Sequence, residues 1–129
     1  MAEKETVRAE GAPAPFQGAP YSQAVRYGDL VFVAGQVAVR SGHDAIVGET
    51  IEEQTAQVCE NLKAILEAAG SDFDRVLNTT IYLADFGDFA GLNEVYGRYV
   101  GDKPPARATV EVAALPMGAK VEIAVVAHV

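Results

Sequence analysis

The chain has 129 residues, a formal net charge of −8 and a sequence pI near 4.6. Half of its residues are hydrophobic, so we expect one globular domain with a substantial core. Its ten Lys and Arg residues are scattered, and an acidic chain repels phosphate backbones on average, which argues against nucleic acid as a partner.

Residues 1–12 are charged and lack an apolar period, so we expect a flexible N-terminal tail before a domain formed by residues 13–129. No run has the apolar length of a signal-peptide core or a membrane-spanning helix. The single cysteine, Cys59, can form neither an internal disulfide nor a cysteine-rich metal site. We therefore expect a cytoplasmic protein that has no membrane partner.

Turn signals and periodicity predict a β-hairpin and then a helix. A turn signal at residues 27–29 divides the β-rich segment 22–39 into two strands. Thr50 and Glu53 fit a capping box, in which each side chain satisfies a free backbone donor of the other residue. The apolar stripe that follows has helical spacing and stops at Gly70, a residue suited to end a helix.

The second half of the chain alternates between strand and helix patterns. Residues 75–84 are rich in β-branched and aromatic side chains and predict a strand. A second helix is predicted over residues 86–100, and strands over 107–114 and 120–128 flank a loop at 115–119. The order ββαβαββ predicts an α+β domain, with one mixed sheet and two helices on one face.

The last predicted strand indicates self-association. Apart from Glu122 it is apolar on both faces, and helices can cover only one of them. A bare apolar sheet face would exceed the patch size that monomers tolerate. We therefore expect a homo-oligomer.

Arg107 begins an otherwise apolar alternating strand, directly after Pro104 and Pro105. An arginine at the start of a strand often pairs with a surface carboxylate and contributes little to stability. Alternatively, its planar guanidinium binds a ligand carboxylate with two parallel hydrogen bonds. The prolines favour the second interpretation, because they stiffen the approach to the arginine.

Glu122 is the one charged residue inside the last apolar strand. Burial would raise its pKa unless a cation or hydrogen-bond donors compensated. It is therefore either a structural partner of a Lys or Arg, or a carboxylate that positions and activates water. If the last two strands form a hairpin about Met117, Arg107 and Glu122 lie about 16 Å apart. A site that uses both would then draw them from different subunits.

Further candidates are weaker. Tyr21 could line a pocket or pack in the core, and Asn93 fits an exposed polar helix face as well as a binding role. Gly35 inside a strand pattern indicates a bulge or a close backbone approach to a ligand. His43 and His128 have no acidic or cysteine neighbours at metal-ligand spacing, so no metal site is predicted.

Several ordered strings resemble the RidA family of reactive-intermediate (enamine/imine) deaminases. They include Pro20-Tyr21-Ser22-Gln23-Ala24-Val25, Ala34-Gly35-Gln36, Asn93-Glu94-Val95-Tyr96, Pro105-Ala106-Arg107 and Val121-Glu122-Ile123. The resemblance implies a homotrimer of chorismate-mutase-like subunits, with an inner β-barrel and pockets between subunits. It implies hydrolysis of 2-aminoacrylate-type enamines and imines to 2-keto acids and ammonia, a detoxification that needs no cofactor.

The resemblance also assigns roles to residues. Arg107 matches the carboxylate-binding arginine, Glu122 the water-positioning glutamate, and Tyr21 and Asn93 pocket residues, while Gly35 matches the backbone beside the substrate. Ala34 stands where the family usually has serine, which puts the rate or substrate preference in doubt. Thr109 stands in the pocket where some members have cysteine, so no reactive thiol is expected. A trimeric 2-keto acid binding or chaperone-like protein, or a ribonuclease and translation inhibitor, are the alternative functions.

Overall fold

In the computed structural model, which describes residues 2–129, two α-helices pack on one face of a mixed β-sheet. The strands are β1 (Glu5–Val7), β2 (Ala24–Tyr27), β3 (Leu30–Gln36), β4 (Val76–Leu83), β5 (Ala106–Glu111) and β6 (Val121–His128), and the helices are α1 (Ile51–Ala68) and α2 (Phe89–Val100). Their spatial order in the sheet is β1-β2-β3-β6-β4-β5. The predicted α+β class, with two helices on one sheet face, is confirmed.

The first predicted elements form as expected. β2 and β3 make an antiparallel hairpin closed by the pair Tyr27 and Leu30. At the start of α1, the Thr50 hydroxyl accepts a hydrogen bond from the Glu53 amide, and the Glu53 carboxylate accepts one from the Thr50 amide, each at 3.1 Å. Gly70 has a φ of +86°, the left-handed conformation expected of a residue that ends a helix.

The two C-terminal strands do not form the expected hairpin. β5 pairs in parallel with β4, whereas β6 pairs antiparallel with the other edge of β4. β4, α2 and β5 form a strand–helix–strand unit, whose helical crossover returns the chain parallel to its first strand. The loop around Met117 therefore joins two strands that are not neighbours.

The N-terminal segment departs from the flexible tail expected for residues 1–12. β1 pairs with β2, and the buried Gln23 side chain holds the segment that follows. Its carboxamide oxygen accepts from the Ala9 amide at 2.6 Å, and its nitrogen donates to the carbonyls of Ala9, Ala12 and Pro13 at 3.0, 3.2 and 2.8 Å. The segment is fixed through its backbone, so its charged side chains gave no signal of order. Residue 1 lies outside the described part.

The sheet face opposite the helices is uncovered and largely apolar. Along β6, residues buried under the helices alternate with half-buried residues on this open face. By strand pairing, four exposed apolar side chains lie on the open face: Tyr27, Leu30, Phe32 and Val110. Within residues 2–129, neither helix is long and apolar enough to cross a membrane.

Candidate functional site

Four of the predicted site residues line one cavity of about 340 Å³, which we call the Glu122 pocket: Tyr21, Ala34, Gly35 and Glu122. β6 supplies the glutamate, the bulged end of β3 supplies the alanine and glycine, and the loop before β2 supplies the tyrosine. Residues from both ends of the sequence thus meet where β3 and β6 are neighbours.

The Glu122 carboxyl is half-buried and has no basic partner. Its neighbours Val121 and Ile123 are fully buried towards the helices, so Glu122 points to the open face. No Lys or Arg nitrogen in the described chain lies within 4.0 Å of it. Burial raises the pKa of the Glu122 carboxyl. The structural ion pair is therefore not formed, and the carboxyl holds its proton more readily than an exposed glutamate does, which suits it to proton transfer.

Gly35 leaves the space that the Glu122 side chain occupies. The pairing of β3 with β6 shifts register between Val33 and Gln36, so the predicted bulge is confirmed. A Cβ atom at position 35 would lie 2.9 Å from the Glu122 Cδ. Any larger residue would thus push the carboxyl away from its present position.

Two similar turns border the Glu122 pocket. Gln17 and Met117 have φ angles of +52° and +58°, and each precedes a glycine that also has a positive φ. The Tyr21 hydroxyl accepts a hydrogen bond from the Phe16 amide at 2.8 Å and so ties the first turn to the pocket wall. Tyr21 remains 45% exposed, which excludes the core-packing interpretation.

Arg107 and Asn93 form a second group, the Arg107 cradle, with Phe89 and Tyr96. The Arg107 Nη1 donates to the Asn93 Oδ1 at 2.8 Å. The guanidinium carbon lies 5.5 Å from the Phe89 ring centroid and 5.4 Å from that of Tyr96, within the range of cation–π attraction. The Tyr96 hydroxyl in turn hydrogen bonds to the Thr79 hydroxyl at 2.8 Å. Helix α2 therefore fixes the direction in which the guanidinium points.

Arg107 has a fixed orientation and an uncompensated charge. The ion pairs of residues 2–129 are Arg75–Asp72 and Arg98–Glu94, so no described carboxylate lies within 4.0 Å of Arg107. A guanidinium has five N–H donors, and Asn93 engages one of its nitrogens. The remaining donors can receive an anion, and the surface-pair interpretation of Arg107 is wrong.

Phe89 and Tyr96 were not among the residues predicted from the sequence to form the site. Their spacing of four and three residues around Asn93 puts all three on one helix face. That helical periodicity, together with the arginine at the start of the next strand, was the sequence signal that could have identified Phe89 and Tyr96 as site residues. Thr109, two residues beyond Arg107 on the same strand face, has a buried hydroxyl oxygen without a hydrogen-bond partner in the described chain.

One subunit keeps the two groups apart. Arg107 pairs with Thr79 and Glu122 with Tyr82 on the two edges of β4. Their backbones are separated by about 10 Å along the strands and about 10 Å across them, or about 14 Å in all. Moreover, Arg107 contacts α2 whereas Glu122 points to the open face. The predicted separation holds, although it arises from parallel pairing and not from a hairpin.

Comparison with known proteins identifies the family to which this chain belongs. The family model described as "Endoribonuclease L-PSP" matches residues 11–129. The chain belongs to this family. The predicted resemblance is confirmed, since proteins named RidA and RutC family protein are among its relatives.

Three relatives show how close the similarity to other L-PSP family proteins is. A RutC family protein of Saccharolobus solfataricus is 49% identical, over 97% of this chain and 98% of its own length. A mouse protein named 2-iminobutanoate/2-iminopropanoate deaminase is 43% identical, over 88% of this chain and 84% of its own. The crystal structure of RidA from an Antarctic Psychrobacter superimposes with a TM-score of 0.90 at 39% identity, covering 97% of this chain and 99% of that one.

The remaining reactive groups of this L-PSP family chain lie outside both clusters. Cys59 is fully buried in α1, and burial raises the pKa of its thiol to about 12, so the thiol stays protonated at neutral pH. Within residues 2–129, no three His, Cys, Asp or Glu side chains converge as metal ligands would. The charged groups of the cradle and the pocket are therefore the Arg107 guanidinium and the Glu122 carboxyl.

Proposed function

We propose that this L-PSP family chain hydrolyses 2-imino acids, and enamines such as 2-aminoacrylate that tautomerise to them, to 2-oxo acids and ammonia. The observation that carries the proposal is Arg107, held in place by α2 with its charge uncompensated. A guanidinium in this state suits a substrate carboxylate, which it binds through two parallel hydrogen bonds. The deaminase names of some relatives support the same reaction.

Glu122 supplies the proton transfers in this mechanism. The imine reacts in its protonated form. The Glu122 carboxylate takes a proton from a water molecule while the water oxygen bonds to the imine carbon, and the C=N electron pair moves to the nitrogen, which becomes the neutral amino group of a carbinolamine. Glu122 then returns its proton to the amino group of the carbinolamine. The C–N bond breaks, ammonia leaves, and the hydroxyl gives its proton to the Glu122 carboxylate as the 2-oxo acid forms. Glu122 then releases this proton to solvent. Orientation and proton transfer suffice, and no cofactor enters these steps.

The pocket in this proposal lies between subunits of a homotrimer. Arg107 and Glu122 point to opposite faces of one sheet, so a small substrate cannot reach both within one chain. The open face carries exposed Tyr27, Leu30 and Phe32, which favours burial against other copies. Packed open faces would form an inner barrel and bring one subunit's cradle to the next subunit's Glu122 pocket. The trimer would act in the cytoplasm, removing reactive imines where they form.

The word endoribonuclease in the family description suggests a different substrate. The net charge of −8 disfavours RNA, because phosphate contacts depend on clustered basic residues. A trimer that binds 2-oxo acids without turnover is the other alternative, and Ala34, which supplies no hydroxyl, is the residue that favours it.

The proposal is tested with imines generated in situ. D-amino-acid oxidase converts D-alanine and D-methionine to imines, and the protein should accelerate release of the 2-oxo acids in the presence of catalase. Arg107→Ala should lower kcat/KM by about 10²–10⁴-fold, because two charge-assisted hydrogen bonds are lost. Arg98→Ala, which removes an exposed arginine of α2 that pairs with Glu94, is the control and should retain full activity. Binding of 2-oxo acids without acceleration of any imine would establish the binding protein instead.

A further inference from the structure

A second cavity adjoins the Glu122 pocket. It has a volume of about 540 Å³, larger than the Glu122 pocket, and we call it the side cavity. Five residues line both spaces: Phe16, Tyr21, Gly35, Val37 and Met117. The two cavities are therefore adjacent, and the side cavity begins at the same residues that border the Glu122 pocket.

Two buried amide side chains hold the walls of the side cavity in place. Gln23 donates to the Pro13 carbonyl at 2.8 Å, which fixes the N-terminal wall. On the other side Asn61, fully buried in α1, donates to the carbonyls of Val37 and Val39 at 3.2 and 2.9 Å. The space is therefore formed before any ligand binds, as is usual for small-molecule sites.

The lining of the side cavity is apolar over most of its surface. Pro13, Val37 and Val39 supply its walls, and Phe16 and Met117 hold large apolar side chains partly exposed at the shared border. Ligand contact would remove this apolar surface from water. His43 and Asp44 also line the side cavity, and the aspartate disfavours an anionic group beside it.

We propose that the side cavity receives the side chain of the imino acid, so that this chain prefers imines of large apolar amino acids to 2-iminopropanoate. The inference rests on the proposed function, in which the imine carbon lies within hydrogen-bond reach of water held by Glu122. The substituent of that carbon then extends from the Glu122 pocket, and the side cavity is the apolar space that continues it. An alanine-derived methyl group leaves this space empty, whereas a benzyl or isobutyl group enters it.

The preference is measured by comparing imines made by D-amino-acid oxidase from D-alanine, D-leucine and D-phenylalanine. The kcat/KM for the phenylalanine-derived and leucine-derived imines should exceed that for the alanine-derived imine by at least about tenfold, since one well-placed methylene group already gives about 10- to 200-fold. Equal values for the three imines would overturn the inference while leaving the deaminase activity intact. Failure to hydrolyse any of them would instead count against the proposed function.

Two substitutions locate the preference in the side cavity. Ala14→Phe adds a ring to a wall that belongs to the side cavity and not to the Glu122 pocket, and Val37→Phe adds one at the shared border. Each should reduce the phenylalanine-to-alanine ratio of kcat/KM at least about fivefold, because the added ring takes up space the side chain needs. Ala68→Phe, at an exposed position of α1 that lines neither cavity, should keep the wild-type ratio. Wild-type ratios in both cavity variants, with circular dichroism showing that they are folded, would refute the assignment.

Discussion

The Arg107 cradle and the Glu122 pocket hold their charged groups by different means. In the cradle, a regular helix presents an amide and two aromatic rings to an arginine at the sheet edge. In the pocket, a bulge and two left-handed turns surround a glutamate near the start of β6. One region is built from regular structure with ring contacts, and the other from irregular backbone.

The difference follows from what each group must do. A guanidinium is charged at every relevant pH, so the protein needs only to orient it. A carboxyl that exchanges protons needs a pKa set by its surroundings, and the partial burial of Glu122 raises that pKa. A partly buried carboxyl needs space, and Gly35 provides it, because a Cβ atom at this position would collide with the Glu122 side chain.

Among substitutions in the Glu122 pocket, Glu122→Gln should lower kcat the most. It removes the proton acceptor, so kcat should fall by about 10²–10⁴-fold, while KM changes little because Arg107 still binds the carboxylate. Wild-type kcat/KM should decrease as the pH falls through a value above 4.5, the ordinary pKa of glutamate, and the variant should lack this decrease. Glu67→Gln on the exposed face of α1 is the control, and an unaltered pH profile in Glu122→Gln would contradict the role of Glu122.

Glu122 should also make the wild type less stable at neutral pH. Because its pKa is higher in the folded chain than in the unfolded chain, the folded state binds more protons and its stability falls as the pH rises through that interval. The neutral amide of Glu122→Gln has no such cost. Its Tm should exceed that of the wild type at pH 7 and match it more closely at pH 4, as measured by thermal unfolding at both pH values.

Mixing two inactive variants tests whether the two regions meet across subunits. Arg107→Ala retains the Glu122 pocket and Glu122→Gln retains the cradle, so a pocket formed by one of each is complete. Unfolding and refolding an equimolar mixture should give about a quarter of the wild-type activity, the fraction of interfaces in a randomly assembled closed ring that join the two intact halves. Mixing without refolding is the control. If the mixture forms hybrid oligomers but recovers no activity, both residues of each active site must lie in one subunit.

Gly35→Ala should disturb the pocket without touching the cradle. The added Cβ displaces the Glu122 carboxyl, and a misplacement of about 1 Å can cost up to about 100-fold in rate. Gly97→Ala in α2 is the matched control, because nothing lies within 4 Å of its added Cβ. It should leave kcat/KM unchanged and stabilise the helix by up to about 1 kcal/mol. Equal activities of the two variants would show that the position of Glu122 does not matter.

Tyr96 variants should give the smallest effects, confined to the cradle. Tyr96→Leu removes a ring beside Arg107 and should raise KM by roughly 2- to 30-fold with a smaller change in kcat, in line with a cation–π contribution of about 0.5–2 kcal/mol. Tyr96→Phe keeps the ring and loses only the hydrogen bond to Thr79, so it should restore most of the affinity. A loss of kcat with unchanged KM in Tyr96→Leu would argue against its positioning role.

Local signals predicted those parts of the fold that depend on neighbouring residues. The capping box at Thr50 and Glu53, the hairpin turn after Tyr27 and the bulge at Gly35 each follow from a few adjacent side chains. The resemblance to the family predicted four residues of the Glu122 pocket and two of the cradle: Tyr21, Ala34, Gly35 and Glu122, and Asn93 and Arg107. These features are encoded within short windows of sequence.

The pairing of strands that are distant in sequence could not be predicted from such short windows. The choice between a β5–β6 hairpin and parallel pairing of β5 with β4 depends on how α2 crosses the sheet, which the loop around Met117 does not reveal. The rule for strand–helix–strand units would have predicted the parallel pair. The contact of Phe89 and Tyr96 with Arg107 depends on this pairing, because it brings the start of β5 beneath α2.

The four hydrogen bonds of Gln23 all end on backbone atoms of residues 9–13. Such bonds specify a path for the chain but almost no amino acids along it, beyond the small side chains that Ala9 and Ala12 place in the core. Mutations can therefore accumulate in this segment while its route past the side cavity stays the same. Two homologues could differ at nearly every residue there and still present the same wall, with one glutamine as the common requirement.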